Sequence, residues 1–305
     1  MKFEVTILGS SSATPIFNRN PTAQVLNIND RLYLVDCGEG TQQQMLRFDI
    51  KASRIDYIFI SHIHGDHYLG LVGLLSSLHL NGRKKPLKIY GPARLKEIID
   101  LQLNYSETTL QYAVEFNFTN PEKAEVILDN PDVTVESIPL DHRIACTGFL
   151  FREKKRLRKL IKDKLERANI PVEYYTALKK GADYVAPDGS IIKNDTVTID
   201  SEEPKTYSYC SDTLYNEMYF KQISNSTMLY HEATFLNIML ERARETHHTT
   251  ALQAGQIALR TNTKKLLIGH FSARYKTLNE LLDEARSVFP ETELAIEGKT
   301  FVIGE

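Results

Sequence analysis

The stretch Ser61-His62-Ile63-His64-Gly65-Asp66-His67, directly after Ile58-Phe59-Ile60, constrains this chain more than any other. Four side chains of metal-ligating type fall within six residues there. Imidazole and carboxylate suit zinc, and alternate spacing lets two of them close on one ion. The apolar run predicts a buried strand, and Leu69-Gly70-Leu71-Val72-Gly73-Leu74-Leu75 predicts the start of a helix. The cluster is therefore expected on a short loop at a strand exit, where functional groups tend to be displayed. A histidine-rich surface loop arising by chance is the plain alternative.

Short apolar or β-branched runs bounded by Gly, Asn, Asp or Pro predict strands at 3–8, 23–28, 32–35, 57–60 and 87–90, then near 133–138, 147–151, 206–210, 227–230 and 265–268. Amphipathic patterns predict helices at about 40–49, 69–80, 93–103, 235–244, 250–261 and 277–287. No G-x-G-x-x-G opening or P-loop accompanies this alternation, so nucleotide binding has no support. Residues 152–200 break the rhythm. They are basic at first and then turn-rich, through Gly181, Pro187-Asp188-Gly189 and Asn194-Asp195, with little to bury. The segment reads as an arm inserted into a single domain spanning 1–305.

A net charge of −2 hides an uneven distribution. Between Arg152 and Arg167, nine Lys or Arg stand against three acids, a footprint for a polyanion or, equally, a solvated basic face. Three cysteines (Cys37, Cys146, Cys210) without a C-x-x-C pair argue against a disulfide framework and fit a reducing compartment. Cys146 and Cys210 fall near the proposed ligands, but small buried roles suit them better. An acid at Glu4, and the lack of a long apolar run, predict neither a signal peptide nor a membrane helix; a cytoplasmic protein is expected.

A dinuclear site needs more donors than the first cluster offers. His142 follows the alternating strand at 133–138, Asp212 follows Tyr209-Cys210, and His270 follows Leu266-Leu267-Ile268-Gly269. Each sets a ligand-type residue at a strand exit. Singly, each reads as a capping Asp or a core histidine; with the first cluster they read as one site.

These motifs place the chain close to a known group. H-x-H-x-D-H, a distant His, a bridging Asp and a final His resemble the metallo-β-lactamase superfamily, and within it the ribonuclease Z family, short form. The likeness runs end to end: Leu8-Gly9-Ser10-Ser11-Ser12-Ala13-Thr14-Pro15, Asp36-Cys37-Gly38-Glu39-Gly40-Thr41-Gln42, His231-Glu232-Ala233-Thr234-Phe235, and His270-Phe271-Ser272-Ala273-Arg274-Tyr275. The resemblance implies an α/β (α+β) fold, a four-layer αββα sandwich with the site between two sheets. It implies two Zn2+ per chain, with Mn2+ or another divalent ion as a substitute. His62, His64 and His142 would hold one ion, Asp66, His67 and His270 the other, and Asp212 would bridge them. It also implies a homodimer that cuts the 3′ trailer from tRNA precursors and leaves a 3′-hydroxyl on the tRNA.

In that chemistry Asp66 is expected to ligate metal and orient the attacking water. His248, in His248-Thr249-Thr250, is expected as the general acid, oriented by Glu232. Thr249 is expected to cap the following helix. His247 has no assigned role, His231 is expected behind a ligand carboxylate or backbone group or in a structural role, and His79 reads as a structural or exposed mid-helix residue. The arm would grip the tRNA elbow through Lys154, Lys155, Arg156, Arg158, Lys159 and Lys162, by sequence-blind phosphate contact. Two features depart from the family pattern. Ile170-Pro171-Val172-Glu173-Tyr174 replaces the arm's usual Gly-Pro pair, and Ser211 replaces the Gly before Asp212. Rival readings are a thioesterase- or lactamase-like hydrolase of the superfamily, which has no use for a basic arm, and an RNA-binding protein with a closed structural zinc site.

Overall fold

The computed structural model describes residues 2–16 and 19–304. Two seven-stranded sheets dominate. The first runs, edge to edge, Thr300–Val302, Phe3–Gly9, Ala23–Ile28, Arg31–Val35, Ile55–Phe59, Leu87–Gly91, Val114–Phe118. Its first four strands pair antiparallel; from Arg31–Val35 onward pairing is parallel. The second runs Thr292–Leu294, Leu266–Gly269, Met228–Glu232, Thr206–Cys210, Cys146–Glu153, Val133–Leu140, Val126–Asp129.

Strand alternation explains the layering. Tyr33 and Val35 point into a central cluster, whereas Leu32 and Leu34 point into an outer one. Phe59 likewise enters the central cluster between Ile58 and Ile60, which face outward. A period of two with both faces buried marks a sheet covered on both sides. The central cluster joins the sheets: Phe3, Val5 and Phe59 from one, Phe149, Tyr207 and Tyr230 from the other. Helices Gly70–Leu80 and Ala93–Tyr105 cover the first sheet, Ala251–Arg260 and Asn279–Arg286 the second. The result is the four-layer αββα arrangement.

One glycine fixes how the helix after the histidine loop docks. A Cβ on Gly70 would lie 2.2 Å from the Gly38 carbonyl oxygen, so only glycine lets that helix approach.

Several expectations need correction. The strands Val114–Phe118, Val126–Asp129, Thr292–Leu294 and Thr300–Val302 were not expected; all are short, and each is an edge strand of its sheet. The helix expected over 235–244 begins later, as a 3-10 turn Asn237–Met239 followed by Leu240–Thr246, because Phe235 is extended and bridges to Thr250. Thr249 is not the cap: Thr250 accepts from Gln253 N–H in a capping box, and Thr249 Oγ1 donates to the Thr213 carbonyl. His79 lies in the last turn of its helix rather than the middle, and its Nδ1 accepts from Gln111 N–H.

Residues 153–204 form a second compact unit. It has a core of its own, contrary to the expectation of little to bury: Leu165, Ile170, Leu178, Tyr184 and Val197 pack together. Two small antiparallel pairs, Lys159–Leu160 with Thr198–Ile199 and Tyr184–Val185 with Ile191–Ile192, frame it. Buried Asn194 donates from Nδ2 to the Leu178 and Ala182 carbonyls and ties its loops together.

Candidate metal centre

The seven residues expected to hold metal arrive on four separate stretches of chain. His62 and His64 lie after the strand Ile55–Phe59, and Asp66 and His67 in the single helical turn Gly65–Tyr68. His142 stands just beyond Val133–Leu140, Asp212 just beyond Thr206–Cys210, and His270 directly after Leu266–Gly269. Thr206–Cys210, Met228–Glu232 and Leu266–Gly269 are neighbouring parallel strands, so their C-terminal ends open onto one rim. Parallel pairing is thus what brings Asp212, Glu232 and His270 together.

Two donor sets result. In the first, His64 Nδ1 lies 3.0 Å from His62 Nε2 and 3.2 Å from His142 Nε2. In the second, His67 Nε2 and His270 Nε2 each lie 3.4 Å from Asp66 Oδ2. Asp212 divides its oxygens between them. Its Oδ2 is 3.6 Å from His62 Nε2 and 3.8 Å from His142 Nε2, and its Oδ1 is 3.5 Å from His67 Nε2 and 3.1 Å from His270 Nε2. Donors about 2.0–2.1 Å from one tetrahedral zinc stand roughly 3.3 Å apart. The spacing within each set matches that. His67 Nε2 is buried without a hydrogen-bond partner among the described residues, its face turned into the second set. Each set is chemically suited to hold one divalent cation.

The ring nitrogens turned away from the centre are also held. His67 Nδ1 donates to Asp36 Oδ2 (2.8 Å), His142 Nδ1 to the His247 carbonyl (2.9 Å), and His270 Nδ1 to Thr234 Oγ1 (2.8 Å). Thr234 Oγ1 donates in turn to Glu232 Oε2 (2.7 Å), while His248 Nδ1 donates to Glu232 Oε1 (2.8 Å). Glu232 therefore orients both His270, through Thr234, and His248 directly. Such partners fix the tautomer and aim of a ligand ring. His248 also falls within 4.8 Å, donor to donor, of Asp212 and His270.

The charge distribution follows from burial and neighbours. Burial depresses His62, His64 and His142, the last to about 4, and so keeps the first set's imidazoles neutral as metal binding requires. Burial would depress His67 too, but Asp66, Asp212 and Asp36 outweigh it and hold its pKa well above the ordinary range. The second set is thus the more electronegative and favours positive charge. Burial opposes ionisation of Asp66 and Asp212 as well, yet the surrounding imidazoles hold both carboxyls well below the usual range. Burial would lower His248, but the Glu232 carboxylate outweighs it and raises the ring to about 9.

The sequence reading missed Asp36 as part of the site. It sits fully buried at the exit of Arg31–Val35, in the left-handed region (φ 54°), a conformation that costs a non-glycine residue roughly 1 kcal/mol or more. Its carboxylate accepts from His67, from Ser61 N–H and Oγ–H, and from the Tyr209 hydroxyl. Ser211, where a Gly was expected, donates to Ser61 Oγ and so extends this network. Cys146 Sγ stands 3.6 Å from His62 Nδ1, behind the ring and outside the donor sets. His231 meets the Glu232 carbonyl and the Tyr219 hydroxyl, so it backs the strand and touches no ligand carboxylate.

Asp36→Asn turns an amide N–H₂ toward these donors. Uptake of divalent metal by the second set should weaken by about 10–100-fold in chelator competition. Unchanged affinity for both ions would show that Asp36 does not aim His67.

Of the basic residues expected to meet RNA, Arg158 pairs with Asp200 (3.0 Å) and donates to Thr198 Oγ1, Arg156 approaches Glu153 (3.4 Å), and Lys162 approaches Glu166 (3.7 Å). Lys155 and Lys159 are exposed, and Lys154 is half-buried.

Comparison with known proteins adds to this geometry. A family model described as Anti-Pycsar protein Apyc1 matches residues 3–158. Ribonuclease Z of Bacteroides fragilis is 46% identical over 296 residues, 97% of each chain. Ribonuclease Z of Cytophaga hutchinsonii is 45% identical over 308 residues, covering 100% of this chain and 97% of its own. Among solved structures, human tRNase Z, short form, superposes with a TM-score of 0.72 at 26% identity, covering 98% of this chain and 99% of its own. The metallo-beta-lactamase fold protein YhfI from Bacillus subtilis superposes at 0.70 with 19% identity over 99% of this chain and 100% of its own, and shares the fold.

Proposed function

This chain belongs to the ribonuclease Z family and is an endoribonuclease of the hydrolase class, and from that premise we propose how its residues cut a tRNA precursor. The cut removes the 3′ trailer and leaves a 3′-hydroxyl on the tRNA. The observation that carries this reading is Asp212, whose two oxygens face two separate donor sets. Two Zn2+ ions suit the sets best, held by His62, His64 and His142 on one side and Asp66, His67 and His270 on the other, with Mn2+ or another divalent ion as a substitute. When bound, the paired cations bring the pKa of a water toward neutrality and offset charge on the phosphoryl oxygens.

The chain's own groups do the rest. Ala13 N–H donates to Asp66 Oδ2 (2.7 Å) and fixes that carboxylate, which orients the attacking water. The water oxygen bonds to phosphorus as the P–O3′ bond breaks. The trailer keeps the phosphate, and the departing oxygen belongs to the tRNA. An alkoxide needs a proton there. His248, charged through neutral pH beside Glu232, donates it. Glu232 touches no reacting atom in this scheme and acts by positioning His248.

The unit at 153–204 would hold the tRNA body. Its six candidate contacts are Lys154, Lys155, Arg156, Arg158, Lys159 and Lys162; the internal bonds of Arg158 leave more of the grip to exposed Lys155 and Lys159. Removing residues 155–195 should lower kcat/KM for a tRNA precursor by about 100-fold or more, from lost phosphate contacts. Hydrolysis of a small aryl phosphodiester should fall far less. Equal losses on both substrates would make the unit merely structural.

A cytoplasmic homodimer completes this reading, and sedimentation of the purified protein tests the dimer. No helix among the described residues is long and apolar enough to cross a membrane. The decisive experiment is incubation with an end-labelled tRNA precursor: a single cut releasing a 5′-phosphorylated trailer is expected, and activity on thioesters alone would overturn the proposal.

A further inference from the structure

Arg274 rests its guanidinium on an aromatic ring. Its guanidinium carbon lies 4.9 Å from the centroid of the Phe235 ring, and its Nε donates to Ser272 Oγ (3.0 Å). Among the described residues no carboxylate pairs with it, although the side chain is exposed. The loop that carries it is itself fixed. Arg19 donates to the Tyr275 and Ser272 carbonyls, and the Tyr275 hydroxyl accepts from Leu236 N–H. Phe235 is nearly buried, and its other neighbour is His248, with ring centroids 6.0 Å apart at 68°. His248 in turn stacks on His270, centroids 5.4 Å apart. One aromatic ring therefore touches both the guanidinium and the proposed acid.

Surface arginines ordinarily lose rotamer freedom when they bind, and most of that cost is absent here. The stack and the Nε bond hold the plane of an exposed side chain, leaving its two terminal nitrogens as a fork. A planar fork of this kind matches the paired oxygens of a phosphate. RNA running across the centre must carry phosphates on either side of the one being cut.

We propose that Arg274 clamps a backbone phosphate adjacent to the scissile one and so sets which bond faces the centre. It is a positioning residue for the RNA strand, and this rests on the tRNA-precursor reading above. Phe235 contacts both partners, the guanidinium and His248. Strand position and proton donor are thereby referred to one rigid ring.

The test is a cycle between protein and substrate. Arg274→Ala should raise KM for a tRNA precursor about tenfold with a smaller change in kcat, and reduce the salt dependence of kcat/KM by roughly one contact's slope. Arg274→Lys should restore the salt slope but only part of the KM, because a point charge lacks the fork. A neutral methylphosphonate is then placed in turn at the phosphate on each side of the cut. At one position it should cost the wild-type enzyme about tenfold and the Arg274→Ala enzyme less than twofold, the non-additivity expected of direct partners. Equal costs in both enzymes at both positions would overturn the proposal. A wild-type enzyme that fails to cut the unmodified precursor would instead sink the functional reading, and this inference with it.

Discussion

Asp212→Ala is expected to lower the divalent-metal content of the purified protein, and to cut the rate on a tRNA precursor by about 1,000-fold or more. The reason is positional. Among the described residues, Asp212 is the one side chain whose two oxygens face both donor sets, so its loss removes a ligand from each and the link between them. Metal-ion catalysis supplies several kcal/mol of transition-state stabilisation, and each 1.4 kcal/mol is worth tenfold. Removing the carboxylate also leaves four buried imidazoles with less negative charge to balance bound cations. Elemental analysis of the purified variant decides the point. Full occupancy by two ions would rule out Asp212 as the bridge, whatever the rate. Retained circular dichroism separates this result from misfolding.

His248→Ala should lower kcat on the same precursor by about 100- to 10,000-fold, the range for loss of a general acid. Its effect should depend on what leaves. A ribose alkoxide needs a proton, whereas an aryl oxide departs well without one, so the loss should shrink as the leaving group becomes more acidic. With Glu232 raising the ring to about 9, wild-type activity toward RNA should fall as alkaline pH strips the proton from His248, and the variant's profile should lack that fall. A uniform loss across leaving groups would point to a ligand role, which the proximity of His248 to Asp212 and His270 makes a concrete alternative.

Local sequence carried the donors well. His142, Asp212 and His270 each follow an apolar run, and chain alternation alone predicts a strand exit there. Which exits meet is a matter of pairing. The parallel register of Thr206–Cys210, Met228–Glu232 and Leu266–Gly269 is set by partners remote in sequence, and nothing local announces it. Asp36 shows the limit most clearly. It stands in a turn-like Asp-Cys-Gly context, yet its task is to accept a hydrogen bond from His67, an acquaintance made only when adjacent parallel strands align. Thr234 was hidden in the same way, since its hydroxyl joins Glu232 to His270 across two strands. The core of the unit at 153–204 escaped notice because Leu165, Ile170, Leu178, Tyr184 and Val197 come singly among charges and turns. Periodicity needs neighbours to be visible.

The order in which the donors occur along the chain carries a consequence for biogenesis. Four of the candidate ligands lie within residues 62–67, and the last, His270, follows His67 by 203 residues. A ribosome delivers residues from the amino terminus onward, so the early histidine loop emerges long before the remaining donors exist. The second donor set therefore cannot close until His270 has been made, and a nascent chain stalled between Asp212 and His270 should hold a cation in the first set more firmly than in the second.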